Sequence, residues 1–100
     1  MSNLLSHRYI KKKLANISEF IAGDKTHLKE VLHPKNDDLD LGFSLAHAII
    51  KVGKSSLPHQ LSHSETYFFL SGNGQMFIGN ESCQVENGDT VYVLSLIHIS

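Results

Sequence analysis

A single cysteine, Cys83, rules out an intrachain disulfide, and with it the framework expected of a small secreted domain. That scarcity fits a reducing cytoplasm. The N-terminus has no basic region followed by a long apolar run and a small-residue cleavage site, so no secretory signal is read there. "NIS" and "NES" match the glycosylation sequon but carry no weight without a secretory route. No apolar stretch approaches the roughly 20 residues that a membrane span requires. Charge excess is missing too. The formal net charge of -1 provides no whole-protein field to draw in nucleic acid or an anionic membrane, and neither is expected as a partner. The basic cluster "HRYIKKK" (Arg8, Lys11, Lys12, Lys13) reads as a solvated terminal segment rather than a polyanion-binding patch. Internal repeats and low-complexity linkers are also absent.

What remains is an ordinary globular composition, 41% hydrophobic and 19% charged, in a length of 100 residues that suits one domain with a single core. Residues 1–15 lack clear periodicity and read as an arm, with or without a short strand. "NISEFIAG" predicts one short helix, with Asn16 as its cap, Glu19 at the reciprocal box position and Gly23 as a left-handed stop. The pattern then turns to β. "THLKEVLH" alternates weakly, "HPKNDDLDLG" is a polar loop, and "FSLAHAIIKV" is a strand rich in apolar positions. Beyond Gly53, "LSGNG", "IGNES" and "ENGDT" set Gly and Asn between the short runs "ETYFFL", "QMFI", "CQV" and "TVYV". Short strands separated by tight turns argue for antiparallel hairpins in a sandwich or barrel. The fold class is all-β with a minor helix.

The chemistry concentrates in "HQLSHSE", His59 to Glu65. Gly53 is followed by five residues and then His59; Glu65 lies six positions on, and six residues separate it from Gly72. This resembles the first motif of the cupin family: glycine, five residues, His-x-His, three or four residues, Glu, six residues, glycine. The second histidine is missing, because its position holds Leu61. "NGDTVYV" resembles the opening of the second cupin motif, whose proline falls due at position 94, where this chain has Leu94. The resemblance covers about Phe43 to Val93. It implies a jelly-roll β-barrel, here incomplete at the C-terminus, whose interior holds a divalent metal on three histidines and a glutamate. Imidazole and carboxylate together suit Fe, Mn, Ni or Zn.

Carried onto this chain, the resemblance makes His59 and Glu65 metal ligands, each with a plainer alternative as a strand or loop residue. His63 is out of register by two. If the segment is extended, positions 59, 61, 63 and 65 share a face and His63 can stand in for the missing ligand; otherwise it is a solvated histidine or a substrate contact. Leu61 points to a depleted metal site or an apolar substrate pocket. Glu65 shares a face with Tyr67 and Phe69, and Thr66, Phe68 and Leu70 take the other; Tyr67, Phe68 and Phe69 read as core or as a substrate platform, and Tyr67 and Phe69 as candidate pocket lining. His47, on an apolar strand, reads as an interior histidine or a pocket-lining residue. "GNGQMF" lacks the third glycine and the helix of a dinucleotide loop. Cys83 is expected to pack in its hairpin strand.

The last seven residues, "LSLIHIS", have a separate explanation. The transposon mosaic end used in sequencing libraries, CTGTCTCTTATACACATCT, translates in one frame as "LSLIHI", and its final T can begin a serine codon. The natural coding sequence is therefore expected to depart from this one after Val93, and His98 is not counted as a site residue. Three segments result: 1–42, an arm, short helix and first strand; 43–93, the cupin barrel core with the first motif and the start of the second; and 94–100, an adapter-derived tail. The parent protein is expected to be a small metal-binding cupin of the mannose-6-phosphate isomerase-like type, acting on a small molecule such as a sugar phosphate as an isomerase, epimerase or oxygenase. The alternative is a non-enzymatic ligand-binding module without catalytic metal. The chain as given is expected to be an inactive fragment, with dimerisation left open.

Overall fold

The computed structural model describes residues 4–5, 9–37 and 40–100, with the backbone alone at 4–5. The described residues form an all-β structure without an α-helix, in two compact units, Met1–Lys54 and Ser55–Ser100. Arg8 and part of the polar loop, residues 38–39, lie outside the described residues.

In the first unit, β1 (Leu4–Leu5) pairs antiparallel with β2 (Ile10–Lys11). A separate three-stranded antiparallel sheet runs β3 (Phe20–Ile21), β4 (His27–Leu32), β5 (Leu45–Ile49). The helix expected over "NISEFIAG" does not form. Leu14–Asn16 makes a single 3-10 turn, and Phe20 and Ile21 pair with Leu28 and His27. Eight residues are too few to hold a helix without tertiary support, whereas strand pairing satisfies the backbone at once. Glu19 does not reach back to Asn16; its carboxylate meets His27 Nδ1 at 3.1 Å. The left-handed residue is Lys25 (φ 74°), not Gly23. Ala22 N–H donates to the Thr26 carbonyl, enclosing a three-residue connection of the kind that ends in a left-handed position. Asp24 holds it together by accepting from both the backbone N–H and the hydroxyl of Thr26.

The β4–β5 register shifts between Glu30 and Leu32, so Val31 is an extra residue on β4. Lys12 reaches this bulge. Its Nζ donates to the Val31 carbonyl and to Asp37 Oδ1, each at 2.5 Å, with side chains only 13% and 6% exposed. This corrects the reading of the basic cluster as solvated throughout, because Lys12 is drawn in by a carbonyl that the bulge leaves unpaired.

The second unit contains every buried hydrophobic residue described. One sheet has the order β6 (His59–Gln60), β11 (His98–Ile99), β8 (Asn73–Ile78), β9 (Glu81–Glu86); the other pairs β7 (Glu65–Phe68) with β10 (Thr90–Val93). Leu61, Met76, Val85, Val93 and Ile99 form the core, with Tyr67, Phe69, Ile78, Val91 and Ile97 packed against it. Glycine supplies the turns. Gly79 (φ 59°) opens the two-residue β8–β9 connection, and Gly88 (φ 92°) stands third in the Glu86–Asp89 turn, where Asp89 N–H donates to the Glu86 carbonyl. Cys83 lies on β9, at the edge of its sheet, and is exposed rather than packed.

Candidate functional site

β7 shows the alternation that its sequence predicts. Tyr67 and Phe69 pack toward the core, and Phe68 and Leu70 are exposed. Glu65 lies on the Tyr67 face, because the Tyr67 hydroxyl donates to Glu65 Oε1 at 2.5 Å. Across the pair, Tyr67 stands opposite Val91 and Glu65 opposite Val93. The carboxylate therefore sits at the exposed rim of an otherwise apolar surface, with one oxygen already engaged.

His59 begins β6 opposite Ile99 and is half-buried. Its Nδ1 lies 3.1 Å from the Leu57 carbonyl, which can only accept, so in the neutral ring Nδ1 carries the proton and Nε2 the lone pair. After Gln60 the chain turns inward and then bends. Leu61 is 2% exposed, its N–H donating to the Ile97 carbonyl and its own carbonyl accepting from Leu96 N–H. Ser62 and His63 form a bend, and His63 is exposed with Nδ1 3.1 Å from Ser62 Oγ. The shared face expected of positions 59 to 65 is thus interrupted at Ser62–His63. His47 lies in the first unit, on β5 opposite Lys29, and is half-buried.

Between them, β6 and β7 place His59 and Glu65 on different sheets of the second unit. Among the described residues, no three His, Cys, Asp or Glu side chains come together as a metal-holding group. A concave region of about 460 Å³ lies among Ile78, Gly79, Glu81, Tyr92, Val93 and Ile97. None of the residues expected at the site lines it. Glutamate and tyrosine two apart on a strand were legible as neighbours from the pleat alone. The carbonyl that sets the His59 tautomer was not, since it depends on the local path of the chain after Leu57.

No protein-family model matches the chain, and no solved structure matches it. An uncharacterized protein of Methanocaldococcus jannaschii, MJ1618, is 35% identical over 91 residues, covering 90% of this chain and 72% of that protein. The chain belongs to the MJ1618 family. At that level of identity, the two share a fold through most of the length matched. No activity is known for that relative, so any chemistry of this chain rests on the side chains described above.

Proposed function

We propose that this chain is a cupin-type β-domain that binds a small molecule and does not hold a catalytic metal. The jelly-roll reading is supported by the strand order of the second unit. β7 pairs with β10 across the β8–β9 hairpin, which belongs to the other sheet, so the chain crosses between sheets before and after that hairpin, as Greek-key sandwiches do.

The observation that carries the metal-free reading is Leu61. At the position where the family motif has its second histidine, this side chain is committed to the core with Met76, Val85, Val93 and Ile99. The remaining donors are His59, tied at Nδ1 to Leu57, Glu65, tied at Oε1 to Tyr67 on the other sheet, and His63, exposed on the bend between them, and the three do not come together. Neutral imidazole and carboxylate are the right donor types for Fe, Mn, Ni or Zn, but this set does not fit a three-donor site. The same groups suit ligand recognition: a half-buried imidazole, a carboxylate oriented by a phenol, and apolar surface beside them. A sugar phosphate or a comparable polar small molecule is the class proposed, in a cytoplasmic setting that one free thiol fits.

Metal analysis of the purified protein and of His59→Ala and Glu65→Ala tests this reading. Substoichiometric metal is expected in all three. One equivalent in the wild type, lost in both variants, overturns the proposal and restores the metallo-cupin. A thermal-shift panel of sugar phosphates and small carboxylates completes the test, with a ligand-dependent rise in Tm expected in the wild type and abolished in both variants.

A further inference from the structure

The near-neutral charge of the whole chain conceals an uneven division. All nine Lys and Arg residues lie between Arg8 and Lys54, in the first unit. The second unit, Ser55–Ser100, has none, and it carries four carboxylates, Glu65, Glu81, Glu86 and Asp89. Its formal charge is therefore -4 with histidine counted as neutral. Fixed cations are already missing from Ser55 to Val93, so the imbalance does not depend on the tail.

The sign of this charge matters at Glu65, in the candidate ligand site. An ionised carboxylate only accepts hydrogen bonds, and it attracts positive charge. The Tyr67 hydroxyl donates to Oε1 at 2.5 Å, which orients the carboxylate without neutralising it. Lys12–Asp37 and His27–Glu19 are ion pairs of the first unit, and Glu65 has none among the described residues. In the neutral ring, His59 directs its Nδ1 proton to the Leu57 carbonyl and adds no fixed charge. Val93 and Val91 stand across the strand pair from Glu65 and Tyr67, so the carboxylate has an aliphatic and aromatic border.

One oriented negative charge beside apolar surface suits an ammonium group on a small organic body. The ammonium gains a charge-assisted hydrogen bond, and the body covers the valines and the ring. A phosphate meets the opposite field, with no lysine or arginine in the unit to offset it. We propose that the ligand of the second unit is an amino sugar or a similar hydroxylated amine that presents its ammonium to Glu65, an inference that rests on the ligand-binding reading above and narrows it. A phosphate, where the ligand has one, is not the group that this unit recognises.

Calorimetric titration of the full chain with matched sugars tests this, at a pH that keeps the amine protonated. The pairs are D-glucosamine against D-glucose, and D-glucosamine 6-phosphate against D-glucose 6-phosphate. In each pair the amine is expected to bind roughly five- to tenfold tighter, the margin of a charge-assisted over a neutral hydrogen bond. Added salt should shrink that ratio, because it screens an ion pair and leaves a neutral contact almost unchanged. Glu65→Gln keeps an acceptor for the Tyr67 hydroxyl and removes the charge, so its ratio should fall to about one while sugar binding persists. The wild-type ratio and its salt dependence are readable whether or not the variant folds. Equal affinities within each pair, or a ratio that salt or a folded Glu65→Gln leaves intact, overturn the amine assignment while the ligand-binding reading stands. Failure of all four sugars to bind the wild type overturns both.

Discussion

Asp37 shows how one residue organises a stretch of chain with little secondary structure of its own. Its Oδ1 accepts from Lys12 Nζ, and its Oδ2 accepts from the backbone N–H of His33 at 2.8 Å, closing the turn that follows β4. Because Lys12 also satisfies the carbonyl of the Val31 bulge, removal of either charge leaves the other half-buried beside polar groups without their partner. Asp37→Ala is expected to destabilise the protein by about 1–3 kcal/mol, the range for stranding a partly buried hydrogen-bonding group. Lys12→Met, which keeps the aliphatic stem, should cost a similar amount. A urea melt in which both variants match the wild type would show that the contact contributes nothing. Leu61 makes the complementary point. Its place in "HQLSH" suggested a depleted ligand position or a pocket wall, and it is a core residue whose backbone is also bonded on both sides to the strand-forming tail.

The elements divide into those that the sequence announces and those that context decides. The strands after Gly53 were legible because tight Gly/Asn turns fix their ends and the pleat fixes their faces; β7, β8, β9 and β10 all fall on the runs expected. The alternation in "ETYFFL" separated its two faces but did not say which is buried, and Phe68, expected in the core with Tyr67 and Phe69, is 61% exposed. The N-terminal half was harder to read. "NISEFIAG" carries helix start and stop residues, yet Phe20 and Ile21 gain more by pairing with β4 across the short Gly23–Lys25 connection, a hairpin that the helix-like end residues masked. Site geometry was only half legible, since register placed His59 and Glu65 but could not reveal the bend at Ser62–His63 or the separate sheets. One local conformation stands out from every neighbouring turn. Leu96 is a bulky residue at φ 68°, and it is 68% exposed. A left-handed conformation costs a branched side chain roughly 1–2 kcal/mol, and exposure means that little packing is lost on its removal. Leu96→Gly should therefore raise stability by about 0.5–1 kcal/mol once the greater chain entropy of glycine is counted. A lower denaturation midpoint in that variant would contradict this account.

For the whole molecule, the buried apolar side chains belong to the second unit, while the first unit is held by strand pairing and by the Lys12–Asp37 tie. No helix among the described residues is long and apolar enough to cross a membrane. The tail bears directly on the second unit, because Ile99 is 5% exposed in its core and β11 joins β6 to β8.

The two-residue connection at Gly79 has a consequence for how the second unit assembles in time. β8 and β9 meet across the shortest loop in that unit, from Ile78 to Glu81, whereas β7 must find β10 across the whole intervening hairpin, pairing Phe68 with Thr90 and Glu65 with Val93. Chain closure favours the local pair, so β8–β9 should form early and serve as the surface on which β7 and β10 come together. Gly79→Ala, which strains the turn at its first position, is then expected to slow refolding, whereas Val91→Ala, which loosens a later contact, should chiefly speed unfolding. Stopped-flow chevrons separate the two limbs, and equal effects of both substitutions on the folding limb would mean that the hairpin is not the nucleus.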